Sequence, residues 1–153
     1  PDGGDWGAAE DWLVGEVDAR LTAIATHYEA MDYRKAAAET RALWAAGNEY
    51  LTRAEPWTHF KTNRDRAAIG VRTGIALAAV MARVAQPIIP NAAATILDAV
   101  GATERDWPDS PARELLTALA PGHAITPPDV LFAKIDDDQV AEWTERFGGA
   151  PAA

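Results

Sequence analysis

The sequence predicts an all-α fold, a bundle of sequential antiparallel helices, on three observations. Apolar residues recur at three- and four-residue steps through the first two thirds of the chain. The recurring stretches are bounded by residues that start or stop helices: Asp32, Pro56, Pro87, Pro90 and Gly101. Only the short apolar run from Val130 to Ile135 reads as a possible strand, or else as a buried turn.

In chain order, Val14, Val17, Leu21, Ile24 and Tyr28 share one face of a first helix that ends near Met31. Asp32 is suited to cap a second helix, whose stripe is Tyr33, Ala36, Ala37, Thr40, Leu43, Trp44, Gly47 and Leu51. Pro56 disfavours helical geometry at Glu55 and stops it. A third helix, from about Asp65 to Gln86, carries apolar residues on more than one side, so it is central. Its Gly70, Gly74 and Ala78 cost helix propensity but let a neighbour approach closely. A rigid turn between Pro87 and Pro90 leads into a fourth helix, Ala92 to Val100, closed by Gly101 in a left-handed cap. Ser110 and Pro111 read as cap and first position of a short helix to about Ala120. Asp138 can cap a last helix whose Val140, Trp143 and Phe147 face packs back on the bundle. The expected organisation is one domain, 1–153, with a bundle core over 1–103 and an appendage over 104–153.

Composition narrows the function. A chain of 153 residues can bury roughly 70% of its extended surface, enough for one core. With 48% hydrophobic and 24% charged residues it is globular in type, and without cysteine it has no disulfide, thiolate nucleophile or thiolate metal site. The longest charge-free apolar run, Thr73 to Ala82, is ten residues, about half of what a bilayer span needs, so no membrane segment is expected. The net charge of -9 opposes a surface that grips nucleic acid everywhere. That charge is unevenly spread. Residues 33–86 hold nine bases against four acids, for +5, while each flank sums to -7. Only the middle third can meet a polyanion favourably, although basic side chains on helices are more often a solvated face.

Catalytic and metal chemistry finds little support. His27, His59 and His123 lack ligand spacing, so no metal is expected, and Asp136 to Asp138 suit a helix start better than a calcium loop. Phosphate loops and nucleophile-elbow motifs are absent. The informative stretch is Ala45 to Trp57. Trp57 follows a helix-breaking proline, lies among Arg53, His59, Lys61, Arg64 and Arg66, and heads the basic part of the chain. A large ring on a stiff backbone among cations suits stacking on an unpaired base. A core tryptophan at a helix corner is the alternative.

Asn48-Glu49-Tyr50 leading into Pro56-Trp57, the Pro87-Ile88-Ile89-Pro90 turn, and Gly122-His123 followed by Ile125, Pro128, Leu131, Phe132 and Ile135 resemble, in that order, the carboxy-terminal anticodon-binding domain of bacterial methionyl-tRNA synthetases. The resemblance covers nearly the whole chain. It implies an anticodon-binding bundle of the class I synthetase type, with Trp57 matching the tryptophan that stacks on the anticodon of methionine tRNA, Pro56 beside it, and Arg53, Lys61 and Arg64 as phosphate contacts. The expected partners are methionine tRNA and the catalytic domain of a parent methionine–tRNA ligase, with no membrane and a cytoplasmic location. The class I signatures are not found, so the chain is not expected to be an enzyme in isolation. No cofactor is expected either, since ATP and methionine would bind the absent catalytic domain. Pro1 falls just after a helix that precedes this region in the family. A bundle lacking its first helix should leave a groove or patch of apolar residues, drawn partly from the Val14, Val17, Leu21 and Ile24 stripe or from its partners on the second and third helices, uncovered or covered by another chain. The competing function is a helical protein-interaction module derived from this domain.

Overall fold

The computed structural model describes residues 5–149. These fold into α1 (Ala8–Glu29), α2 (Tyr33–Ala54), α3 (Pro56–Thr62), α4 (Arg64–Ala85), α5 (Pro90–Ala99), α6 (Ala112–Thr117) and α7 (Asp137–Phe147), with no strand among the described residues. The Val130–Ile135 run is thus neither strand nor buried turn. It is irregular and exposed, Val130 at 88%.

Side-chain pairings give the helix directions. Tyr50 on α2 reaches Glu10 on α1, and Arg20 on α1 reaches Glu39 on α2 at 2.8 Å, so the two run antiparallel. Their connection turns at Met31, whose φ is +57°, and Asp32 begins α2. Asp32 does not use its carboxylate as a cap, because Oδ2 instead accepts from Lys35 Nζ at 2.7 Å. α4 lies antiparallel to α2, and glycines set how close the two come. A Cβ on Gly47 would lie 3.1 Å from Leu77 Cδ2, one on Gly74 3.2 Å from Leu51 Cδ2, and one on Gly70 3.3 Å from Pro56 Cβ. The expected small-residue face of the central helix is therefore where α2 and the start of α3 are seated.

The main core joins Leu13, Val17, Leu21 and Ile24 of α1 with Leu43, Tyr50 and Ala54 of α2, Leu77, Val80 and Val84 of α4, and Ala112, Leu115 and Leu116 of α6. Each fully buried aliphatic side chain contributes about 1.5–3 kcal/mol relative to exposure. A smaller cluster of Ala82, Ala93 and Leu97 fixes α5 on α4. α4 alone among the described helices has the length and hydropathy of a membrane span, and its central place in this core accounts for that composition.

Three expectations change. Val17, Leu21 and Ile24 are buried and Val14 half-buried, so the α1 stripe is covered within the chain, and the open apolar groove lies instead on its partners, lined by Leu51 of α2 and Val71, Gly74, Ile75 and Ala78 of α4. Pro1, on which the expectation of a missing first helix rested, lies outside the described residues. Secondly, the stretch expected as an appendage divides. α6 belongs to the core, with Ala112 N–H donating to Asp18 Oδ1 at 2.8 Å and Arg113 to Asp11 Oδ1 at 2.6 Å. Pro111, rather than Ser110, is its N-cap. Thirdly, α7 does not pack back. It contains no buried residue, and Val140, Trp143 and Phe147 are exposed. Its N-cap is Asp136, accepting from Gln139 N–H at 2.8 Å, rather than Asp138. A shared apolar face predicts that a surface is needed to cover it, but cannot say that the chain itself supplies one.

Glu10 is the polar centre of the bundle. It is 0% exposed, and its carboxylate accepts two hydrogen bonds from Arg66 at 2.8 Å each, one from Tyr50 O–H at 2.8 Å and one from Gly7 N–H at 2.9 Å. Burial alone would raise the Glu10 pKa, but the bonds from Arg66, Gly7 and Tyr50 outweigh it and hold the carboxyl below its ordinary value. Burial and the bond to Glu10 together push the Tyr50 phenol up.

Two outcomes are expected. Arg66→Met leaves a buried carboxylate without its cation and should cost about 3–5 kcal/mol in a denaturant titration near neutral pH. Because its folded pKa is depressed, the carboxylate of Glu10 stabilises fully above pH 4.5 and loses that contribution as pH falls below it, so Glu10→Gln should flatten the acid limb of the stability curve there. Helix propensity gives the second outcome. A Cβ on Gly15 of α1 would meet nothing within 4 Å, so Gly15→Ala should raise stability by about 0.5–1 kcal/mol. Gly47→Ala, with Leu77 at 3.1 Å and Met81 Sδ at 3.3 Å, should lack that gain, and paired thermal melts compare the two.

Candidate nucleic-acid interface

The candidate site is built on a corner of the backbone. Pro56 excludes right-handed helix at the residue before it, and Glu55 takes a left-handed conformation, φ +40° and ψ +51°, uncommon for a residue with a side chain. The chain turns there and restarts at once. Pro56 is the first residue of α3, where its missing N–H costs nothing, and the Glu55 carbonyl accepts from Thr58 and His59 N–H at 3.0 and 3.1 Å. α3 stops at Asn63, whose side chain caps α4 by accepting from Arg66 N–H at 3.1 Å.

α3 is the one helix in the bundle region that the sequence reading passed over. At seven residues it is too short to show a periodic stripe, and the signal that could have found it is a proline at a first helical position with a capping asparagine after it.

This corner sorts the expected site residues by burial. Pro56 is buried, its ring against Gly70, so it supports the site from beneath. Trp57 points outward and is 59% exposed. The alternative of a core tryptophan at a helix corner therefore does not describe this ring. Phe60, one turn further on, is 58% exposed, and Lys61, four residues after Trp57 and so next to it on the surface of α3, is also exposed. The Arg64 guanidinium stands over the Phe60 ring, 5.2 Å from its centroid.

Charge is distributed differently from the linear reading. Arg66, counted among the cations around Trp57, is committed to Glu10. Arg53 is engaged twice, donating to Glu49 Oε1 from Nε at 3.0 Å and lying 4.1 Å from the centre of the Trp12 ring. Lys61 and Arg64 have no ion-pair partner among the described residues. The local excess of positive charge thus rests with those two, next to the exposed rings. Phe60 and Trp12 were not singled out by the sequence reading. Phe60 stands three residues after Trp57, a helical neighbour once α3 is recognised, whereas Trp12 reaches Arg53 only through the packing of α1 on α2.

The further motif residues lie elsewhere. Tyr50 is internal, bound to Glu10, while Asn48 and Glu49 face solvent. His123 bonds the Val100 carbonyl at 2.7 Å above Gly101, whose left-handed φ of +61° is the expected cap. Thr126 N–H donates to the Ala99 carbonyl at 2.7 Å, and Ile125, Pro127 and Pro128 border an apolar groove of about 380 Å³ that Pro56 and Leu51 also line. Beyond it, residues 129–149 are exposed.

Fold and site together define a helical-bundle recognition domain, one that presents an aromatic and cationic face on a proline-set corner. The family described as the anticodon binding domain of methionyl tRNA ligase matches residues 1–152. The chain is 60% identical over 156 residues to a methionine–tRNA ligase of Maricaulis maris, 57% identical over 155 residues to one of Hyphomonas neptunium, and 50% identical over 151 residues to one of Caulobacter vibrioides. These alignments take in 100%, 97% and 98% of this chain and 27%, 27% and 26% of the respective ligases. The chain belongs to the family of anticodon-binding domains of methionyl tRNA ligases, and it spans about a quarter of the length of the relatives it matches.

The exposure of Trp57 sets an expected outcome for stability. Trp57→Ala should melt within about 1 kcal/mol of the unchanged chain, well short of the roughly 3–5 kcal/mol that removing a buried tryptophan costs.

Proposed function

We propose that this chain binds the anticodon of methionine tRNA on the outer face of α3, as the anticodon-reading part of a longer methionine–tRNA ligase. The observation that carries the reading is Trp57 itself, an exposed ring on a backbone corner that the bundle holds from beneath through Pro56 and Gly70. A tryptophan has only two side-chain torsions to fix when a base stacks on it, and unpaired bases are read in this way because every base has an aromatic face. Lys61 and Arg64 supply phosphate attraction that no ion pair among the described residues cancels, and Arg53 adds to it from the end of α2.

On this reading the chain orients tRNA and does not itself catalyse. ATP and methionine are bound by the part of the ligase outside this chain, no cofactor is held here, and the site of action is cytoplasmic. The exposed apolar residues from Val130 to Phe147 favour a second role, attachment to a protein surface. The catalytic domain of the same ligase is the partner that fits, and no membrane is required.

The test is equilibrium binding of this chain to an anticodon stem–loop hairpin of methionine tRNA across a salt series. Binding should weaken steeply with salt, by roughly 0.7 log units per tenfold salt for each single-strand phosphate neutralised. Trp57→Ala should weaken it by about 1–3 kcal/mol while leaving the melting curve in place. Affinity independent of salt, or untouched by Trp57→Ala, would instead support a protein-interaction module.

A further inference from the structure

The exposed aromatic residues of this domain fall into two electrostatic settings. Phe132, Trp143 and Phe147 lie in residues 121–149, which hold six acids against two bases, for -4. Trp57 and Phe60 lie in residues 53–66, where four bases face two acids, for +2. The second pair is also ordered differently. Both rings project from one short helix, three residues apart, and such neighbours have Cβ atoms about 5–6 Å apart. The helix is fixed at both ends, by Pro56 seated on Gly70 and by Asn63 capping α4.

Phe60 has no packing task that explains it. It belongs to neither hydrophobic cluster and is as exposed as Trp57. The group that does attend it is Arg64, its guanidinium 5.2 Å from the ring centroid and without an acid partner among the described residues. A flat ring flanked by a cation is what a base and its phosphate meet together, the base stacking and the phosphate pairing with the guanidinium.

We propose that Phe60 and Arg64 form a second nucleotide seat beside Trp57, so that two unpaired bases of one RNA loop are held on α3, one per ring, with the Arg64 guanidinium on the phosphate between or next to them. Trp57 then fixes one base and Phe60 sets the direction in which the strand leaves it. Charge selects the occupant. The unneutralised cations at these rings favour a polyanionic strand, and a Lys and an Arg standing at a protein-docking face would have to be desolvated without partners. The inference rests on the reading of α3 as the anticodon face and goes beyond it in naming a second base contact.

The decisive experiment crosses protein variants with loop positions. Binding of the unchanged chain, Trp57→Ala, Phe60→Ala, Phe60→Leu and Arg64→Ala is measured against the methionine-tRNA hairpin and against hairpins each lacking one loop base. Phe60→Ala should weaken binding of the intact hairpin by about 5- to 150-fold, the worth of one base stack, and lose most of that effect on the hairpin missing one particular base. That base should differ from the one whose removal silences Trp57→Ala. Phe60→Leu keeps apolar bulk without an aromatic face and should behave like Phe60→Ala, which guards against an early-melting alanine variant. Arg64→Ala should lower the slope of log affinity against log salt by roughly 0.7.

Three results overturn the proposal while leaving the anticodon reading intact: no loss with Phe60→Ala, a loss independent of which base is missing, or a loss tied to the same base as Trp57. A chain that binds none of the hairpins overturns both. Full affinity in Phe60→Leu overturns stacking in favour of a plain apolar contact.

Discussion

A carboxylate sealed from water must be met by donors from the protein, and the donors for Glu10 come from three separated parts of the chain. Gly7 closes on it from the start of α1, Tyr50 from late in α2 and Arg66 from the first turn of α4. Such a network is fully formed or costly, because a buried charge with one partner removed retains its desolvation penalty. It therefore specifies how three helices meet in a way that interchangeable leucines do not. It also lies directly behind the candidate site, for Arg66 follows Asn63 and Arg64 by only a few residues and so ties the end of α3 to the bundle.

The other constraint on that corner is steric. Gly70 admits Pro56, Gly74 admits Leu51, and Gly47 admits Leu77 and Met81, so that α2, α3 and α4 approach at distances a larger residue would not allow. Each glycine in a helix costs about 1 kcal/mol of propensity relative to alanine. Close packing offsets that cost. The left-handed Glu55 is a further strain held by the same packing, and it is what turns α3 so that its outer face carries Trp57 and Phe60 away from the core.

This division of labour explains why neighbours in the basic stretch have unlike roles. Arg66 is structural, Arg53 is half-engaged with Glu49 and Trp12, and Lys61 and Arg64 have no ion-pair partner among the described residues. The far end of the molecule has the opposite character. There the chain is acidic and exposes apolar side chains on α7 and before it, a setting unfavourable to a polyanion.

By itself the sequence determined the helical class and the order of the long helices, and it singled out Trp57 as a candidate, because local chemistry is enough for each. Three- and four-residue spacing defines a helical face, proline and glycine define breaks, and a tryptophan after Pro56 among cations needs no knowledge of distant residues to be noticed. Only the tertiary structure decided whether that tryptophan lay in the core or on the surface, and that Arg66 is withdrawn to Glu10 across 56 positions. It also placed Leu115 and Leu116 in the core and left Val140, Trp143 and Phe147 outside it, though only the second group was expected to pack on the bundle. The physical reason is the same in each case. Periodicity records that a face is apolar or a residue charged, whereas burial and pairing depend on which surface the rest of the chain brings against it.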